Sequence, residues 1–316
     1  MSLTSNDAID LLHMQIKEWG LAKTNFEALG SVLTKEFDFD GFAIRVQFNP
    51  ARIQSSAAKV DAKSIQERKC FLCPENLPPQ QEGISYQDEY QVLVNPFPIF
   101  PQHFTIPTFS HIDQRILDRY GDMLDLAKQL DQFSLFYNGP KCGASAPDHA
   151  HFQAGNKGFM PIESDIKTIA LQLVYKEQGV EVSKIKNYLR NGFLIKAQDR
   201  DKAVDVFKLI YNLLPIHEGE GEPMMNIITW YDTADKHVYS VIFPRAVHRP
   251  ACYFIEGEGN TLISPASVDM GGVFITPLQK DFDKITKQDI RTILEEVSIS
   301  EHDLDALSSK LSTILT

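Results

Sequence analysis

Phe136-Tyr-Asn-Gly-Pro-Lys-Cys-Gly-Ala-Ser-Ala-Pro-Asp-His-Ala-His-Phe-Gln153 ends in two histidines and a glutamine at alternate positions: His149, His151 and Gln153. Alternate side chains of an extended strand share a face. Two imidazoles and an amide therefore point the same way, just beyond a Gly/Ser/Pro turn. An unprotonated imidazole nitrogen can attack phosphorus, and an amide can bond phosphoryl oxygens without adding negative charge. Attack requires that an acceptor hold the ring's other nitrogen, a role open to a backbone carbonyl of the adjoining strand segment. Gln153 and the backbone N–H groups around Gly143 to Ser145 are candidates for stabilising phosphoryl charge. A lone strand histidine is usually structural; the triplet behind this turn is what points to phosphorus chemistry.

Working outward, Phe133-Ser-Leu-Phe-Tyr137 reads as a strand. Residues 111 to 132 before it read as a helix, with Ile116, Met123, Leu124, Ala127 and Leu130 among its core positions. Upstream, Tyr90 to Val94 and His103 to Ile106 are strands joined by the proline-rich Asn95-Pro-Phe-Pro-Ile-Phe-Pro101. A fourth strand runs from His149 to Gln153. About 90 residues on, a strand at Gly192 to Lys196, a helix at Asp201 to Leu214 and strands at Asn226 to Tyr231 and His237 to Phe243 repeat the pattern. Two similar α+β halves are expected, the first over residues 1–165 and the second over 166–316. The second half has no matching His-x-His-x-Gln. Residues 6 to 30 read as one helix capped by Asn6 or Asp7, and Phe42 to Phe48 as a strand ending at Asn49-Pro50. Residues 51 to 69 read as a polar loop, and the segment after Asp281 as an acidic helical surface.

The chain has 316 residues, 43% of them hydrophobic, enough for a substantial core. No run of eighteen apolar residues predicts a membrane span, and the polar N-terminus does not resemble a signal peptide, so a cytoplasmic protein is expected. A net charge of −11 argues against a nucleic-acid binder. Locally the balance reverses: Arg45, Arg52, Lys59, Lys63, Arg68 and Lys69 face only Asp61 and Glu67. This stretch could receive an anion, or could be a solvated loop.

Four cysteines in a chain of this length do not make a disulfide scaffold. Cys70-Phe-Leu-Cys73 suits a metal better, with free thiols as the alternative. No second Cys-x-x-Cys exists, so further ligands must be histidines. Cys70, Cys73, His103 and His149 make a chemically reasonable Cys2His2 site.

These residues resemble a known family. Asn138, Gly143, Ser145, His149, His151 and Gln153 fall at the spacing of the active-site segment of galactose-1-phosphate uridylyltransferases, a branch of the histidine-triad superfamily. Cys70-Phe-Leu-Cys73-Pro-Glu-Asn76 resembles that branch's Cys-x-x-Cys-Pro-x-Asn element. Phe48-Asn-Pro-Ala-Arg52 and His149-Ala-His-Phe-Gln153 look closer still to GDP-hexose phosphorylases, which use phosphate as acceptor. The likeness is specific from about residue 42 to 155 and only architectural beyond 190.

The resemblance implies an α+β fold of two histidine-triad-like repeats, each an antiparallel sheet with packed helices, the second degenerate. It makes His151 the nucleophile that becomes nucleotidylated, assisted by Gln153 and Ser145. Asn138, Gly143, Asn49, Arg52, Lys59 and Arg45 are the implied substrate contacts, and Cys70, Cys73, His103 and His149 the ligands of a structural zinc. Ala150 departs from the family's proline between the histidines. His237 and His248 do not reproduce the second-half ligands of some uridylyltransferases, so no second metal is expected. Arg245, His248 and Arg249 are set either to meet substrate phosphate or sugar or to form a surface turn. The expected partners are a nucleotide sugar and phosphate or a sugar 1-phosphate, with no membrane; the oligomeric state is open, a homodimer included. Two rival readings remain. One is a dinucleoside polyphosphate or nucleotide-sugar hydrolase, against which Gln153 argues. The other is a catalytically silent, zinc-stabilised nucleotide-binding protein.

Overall fold

Between Gly83 and Asn156 the chain forms five antiparallel strands: β3 (Gly83–Tyr86), β4 (Tyr90–Val94), β5 (His103–Pro107), β6 (Phe133–Asn138) and β7 (His151–Asn156). They lie side by side as β3-β4-β5-β7-β6. The computed structural model describes residues 3–53 and 60–315. Five later strands repeat this plan: β8 (Leu171–Glu177), β9 (Val180–Ile185), β10 (Gly192–Ala197), β11 (Met225–Asp232) and β12 (His237–Pro244). Their order, β8-β9-β10-β12-β11, matches the first set strand for strand. β6 pairs antiparallel with β11, Asn138 opposite Asn226 and Phe136 opposite Ile228. Among the described residues the two units thus make one ten-stranded sheet.

The sheet is covered on both faces, and its central strands are apolar for that reason. All six residues of β6 are buried. One face carries the helices Tyr120–Gln129 and Arg200–Leu213, each lying between the third and fourth strands of its unit. These helices meet where Tyr120 stacks on Phe207, centroids 3.8 Å apart. Leu135, Phe152, Phe193 and Ile227 pack beneath them, together with Leu11 and Leu12 of the first helix and Leu304 and Leu311 of the last. Each fully buried side chain of this size contributes about 1.5–3 kcal/mol. The opposite face carries a second core, in which Phe136, Ile228 and Val241 meet Ile44, Val46 and Phe274. The last three belong to a small sheet of β1 (Leu33–Phe39), β2 (Phe42–Phe48) and β13 (Val273–Thr276). β13 runs parallel to β2, so a strand from the end of the chain completes a sheet begun near its start. The helix Lys287–Val297 closes this layer with Ile290, Ile293, Leu294 and Val297. Among the described residues no helix is long and apolar enough to cross a membrane.

Four local expectations change. The single helix over 6–30 is two, Ser5–Glu18 and Gly20–Ala28, broken at Trp19, whose φ of −111° and ψ of 101° are extended. Its cap is Thr4, whose hydroxyl takes the Asp7 N–H while Asp7 bonds back. Residues 51 to 69 hold a 3-10 turn at Pro50–Arg52 and a helix at Ala62–Glu67. The helix over 111–132 begins only at Tyr120. Before it the backbone is bonded elsewhere: Thr108 N–H to Ala150 O, Ala150 N–H to Ile112 O and Gln114 N–H to Pro147 O. The 108–114 segment therefore lies along the approach to β7 instead of coiling.

Candidate active site

β4, β5, β7 and β6 bring Leu93, Thr105, Gln153 and Phe136 into one row, because Leu93 faces Thr105, Thr105 faces Gln153 and Gln153 faces Phe136. All four line a pocket of about 700 Å³. Asn138 and His151 stand on the same face and line it too, with Gly143, Ser145 and Arg52. Its remaining wall comes from the far half of the chain, through Ser264, Ala266, Val268, Asp269 and Ile275.

His151 is buried, and its ring Nδ1 lies 2.8 Å from the His149 carbonyl. A carbonyl only accepts, so Nδ1 carries the proton and Nε2 keeps its lone pair. Burial is the main cause that pushes this imidazole down to about 4, against the His149 carbonyl, which favours the cation. The ring is therefore neutral at ordinary pH. Gln114, which no sequence pattern singled out, holds the His151 backbone. Its Oε1 accepts the His151 N–H at 2.8 Å, and its Nε2 donates to the carbonyls of His151 and Asn138, both at 3.0 Å. Opposite His151 on the other side stands Pro107, which has no N–H.

Two amides are fixed in orientation. The Oδ1 of Asn138 accepts the Ser267 N–H at 2.7 Å and the Asn226 side chain at 3.0 Å. That leaves Asn138 its NH2 group for a ligand. Arg245 in turn donates to the Oδ1 of Asn226 at 2.6 Å. Gln153 is set by His103. The Ile99 N–H donates to His103 Nδ1 at 3.1 Å, so Nε2 holds the proton and donates to Gln153 Oε1 at 3.1 Å. Burial pushes His103 down to about 3, helped by the Arg52 charge. Gly143 sits at φ +92°, and a Cβ there would come within 2.5 Å of Ala266 Cβ, so the turn touches the far wall. Arg52 donates to the Phe97 carbonyl at 2.7 Å; burial lowers its guanidinium to about 10, opposed by Asp269. Asp269 accepts the N–H groups of Ala266 and Ile275, and burial pushes its carboxyl up to about 6.

Next to the pocket lies a cluster able to hold a metal: Cys70, Cys73, His111 and His149. Cys70 Sγ is 3.3 Å from His149 Nδ1, Cys73 Sγ is 3.2 Å from His111 Nδ1, and the two Nδ1 atoms are 3.3 Å apart. A tetrahedral ion with two sulfur and two nitrogen ligands has N···S edges of roughly 3.5 Å and an N···N edge of roughly 3.3 Å. The donor set fits such an ion. His149 Nε2 donates to the Thr108 carbonyl at 2.8 Å, which leaves Nδ1 for the metal. Burial opposes ionisation of both thiols, but bonding from His149 and the Leu72 N–H brings Cys70 down to about 6, while Cys73 beside it is pushed up to about 12.

The expected ligand His103 is not in this cluster; it is buried against Gln153, and His111 takes the fourth place. The signal for His111 was its position four residues past Pro107, at the end of a strand, but reading it into a helix hid it. His149 precedes the strand, so the two histidines do not share a face as alternation predicts. Two implied substrate contacts are not pocket-lining. Asn49 is buried and donates to the Pro98 carbonyl, tying β2 to the proline-rich connection. Arg45 lies 5.9 Å from the Phe159 ring. Lys59 falls outside the described residues. Arg245 is buried, with carbonyls of Val297, Pro265, Val247 and His248 around its guanidinium, so it holds backbone. Arg68, absent from the expected site, lines the pocket and pairs with Asp148, which also lies 3.9 Å from His111.

Paired five-stranded units, with a strand histidine facing a pocket rich in amide donors, are the arrangement expected of histidine-triad-like repeats. Residues 11–156 match the family described as "Domain of unknown function (DUF4922)", and residues 163–316 match "GDPGP1-like, C-terminal domain". Both matches agree with the resemblance to the galactose-1-phosphate uridylyltransferase and GDP-hexose phosphorylase-like branch of the histidine-triad superfamily. It is 22% identical over 227 residues to a galactose-1-phosphate uridylyltransferase of Caldanaerobacter subterraneus subsp. tengcongensis, covering 65% of this chain but only 42% of that protein. The fold is similar to that of yeast Ap4A phosphorylase Apa2, with a TM-score of 0.57 and 15% identity over 89% of this chain and 96% of that one. The same enzyme in complex with Ap4A gives a TM-score of 0.53 at 16% identity, over 89% and 97% of the two chains.

Proposed function

We propose that the chain is a nucleotidyltransferase acting on a nucleoside diphosphate sugar through a nucleotidyl-His151 intermediate. The observation that carries this reading is the His151 ring: Nδ1–H is held by the His149 carbonyl, leaving a neutral Nε2 for the pocket. Nε2 attacks the α-phosphorus, an N–P bond forms, and the P–O bond to the sugar 1-phosphate breaks. The proton stays on Nδ1, and the His149 carbonyl stabilises the resulting positive ring. The NH2 groups of Asn138 and Gln153 are suited to the phosphoryl oxygens. In the second step an oxygen of phosphate, or of another sugar 1-phosphate, attacks phosphorus and frees His151. Arg52 supplies charge for the phosphates, and Arg68 joins it in this reading. Cys70, Cys73, His111 and His149 would hold a structural zinc, which would pin the Cys70 loop to the base of β7.

The test is to incubate the protein with UDP-, GDP- and ADP-sugars and quench in alkali, where a phosphoramidate survives. Mass spectrometry should find one nucleotidyl group on the peptide containing His151, and none in His151→Ala. Turnover without an adduct for any sugar nucleotide would overturn the covalent route. The likeness to a fold that acts on Ap4A favours a second reading, a dinucleoside polyphosphate phosphorylase, so Ap4A belongs in the same panel. Nucleoside diphosphate formed only when phosphate is added, or a new nucleotide sugar formed only when a sugar 1-phosphate is added, separates both from a hydrolase.

A further inference from the structure

Glu222 precedes β11, in the half of the chain without a nucleophile, and is 3% exposed. Enclosing a carboxyl is costly unless its oxygens are bonded, and an apolar side chain would fill the same place without that cost. Both oxygens are bonded, and both bonds cross to the first half. Oε2 accepts the Ile116 N–H at 2.9 Å, and Oε1 accepts the Tyr137 hydroxyl. Burial pushes the carboxyl up, with these two bonds and the Arg115 charge opposing.

Each partner adjoins a group that holds the reacting end of the pocket. Ile116 is two residues past Gln114, whose side chain bonds the His151 N–H and the carbonyls of His151 and Asn138. Both residues are buried, and the backbone around them is held at each end. The Gln114 N–H is bonded to the Pro147 carbonyl, and the Ile116 carbonyl to the Arg119 N–H. On the other side, Tyr137 immediately precedes Asn138 on β6, and its carbonyl accepts the Ser267 hydroxyl at 2.7 Å. One carboxyl therefore ties the Gln114 segment to β6. The segment that carries it is seated against the first half as well. The Gly139 N–H donates to the Met225 carbonyl at 3.1 Å. Gly221 makes room for Arg115: a Cβ there would come within 2.8 Å of its Nη2.

We infer that Glu222 is a positioning residue for nucleotidyl transfer: through Ile116 it steadies the Gln114 clamp on His151, and through Tyr137 it steadies Asn138. This rests on the nucleotidyl-His151 reading above and adds a residue of the second half that acts on the nucleophile itself.

The test reads the first step alone, as the rate at which a sugar nucleotide labels His151 in a single turnover. Nucleoside diphosphate affinity is measured beside it by calorimetry. Glu222→Leu removes both bonds. Its labelling should slow by about tenfold or more, as a displaced reacting geometry does, with affinity within about twofold of the parent protein. Glu222→Gln keeps an acceptor for the Ile116 N–H and an NH2 group for the Tyr137 oxygen, and should restore the rate. Ile210→Ala is the control, because Ile210 is buried in the helix Arg200–Leu213 and does not line the pocket. It should lower the urea midpoint and leave the labelling rate unchanged. Where Glu222→Leu fails to fold, Tyr137→Phe decides: it removes one bond, keeps the ring, and should slow labelling too. Parent-like labelling in Glu222→Leu, or in Tyr137→Phe where the first does not fold, overturns the inference and leaves the nucleotidyl-His151 reading standing. Failure of Glu222→Gln to restore the rate, or equal slowing in Ile210→Ala, also overturns it. Absence of labelling in the parent protein by any sugar nucleotide overturns both.

Discussion

Gln114 stands in for a strand beside His151: one side-chain amide accepts the His151 N–H and donates to the His151 carbonyl. β6 and β7 stop pairing at Phe136 and Gln153, so the backbone of His151 has no ladder partner on that side. Gln114→Leu would strip partners from one N–H and two carbonyls in a buried place. The expected loss is about 2–4 kcal/mol in urea unfolding, with a larger fall in turnover than in nucleotide affinity. An unchanged unfolding midpoint would refute this account of the strand.

His103 and His111 separate cleanly in a metal assay. His111→Ala should lower bound zinc well below about one ion per chain, as Cys70→Ser should. His103→Phe should keep the zinc and instead slow turnover by about tenfold, because Gln153 loses the donor that orients it. Zinc lost from His103→Phe and kept in His111→Ala would reverse the assignment.

Asn226 lies in the half without a nucleophile, yet it fixes the amide of Asn138 and is itself fixed by Arg245. Asn226→Ala should reduce kcat by about tenfold, the order expected for one misplaced charge-stabilising donor, while KM changes little. Equal kinetics in this variant would mean that Ser267 alone orients Asn138.

Glu222 links pH to stability. Its carboxylate accepts the Ile116 N–H at 2.9 Å and the Tyr137 hydroxyl, and burial pushes it up to about 7 from an ordinary 4.5. A raised carboxyl contributes stability that is complete below the unfolded value and lost as pH rises through the folded one. Glu222→Gln, which keeps the shape without the charge, should therefore gain on the parent protein as pH rises from about 5 to about 8. Urea unfolding at the two pH values measures the gain; a constant difference would mean that Glu222 ionises normally.

Much of this was legible in the chain itself. The repeated strand, helix, strand, strand pattern is the ten-stranded sheet, and His151 and Gln153 of the His-x-His-x-Gln triplet line the pocket. The acceptor required for the His151 tautomer is present as the His149 carbonyl. What stayed hidden has a common cause. Gln114 and Asn226 act through contacts that span tens of residues, and no local pattern marks a buried amide as a clamp. His111 was misread because the apolar spacing of Ile112, Ile116 and Leu117 imitates a helix, whereas bonds to residues 147–150 hold that backbone extended. β13 was missed because its pairing with β2 joins the two ends of the chain.

The pairing of β6 with β11 has one more consequence. Asn138 and Asn226 meet across that seam, so the side chain that orients Asn138 arrives from the same polypeptide. The partner is always present at a fixed effective concentration. Dilution cannot take this half of the site away, and its assembly follows the folding of one chain.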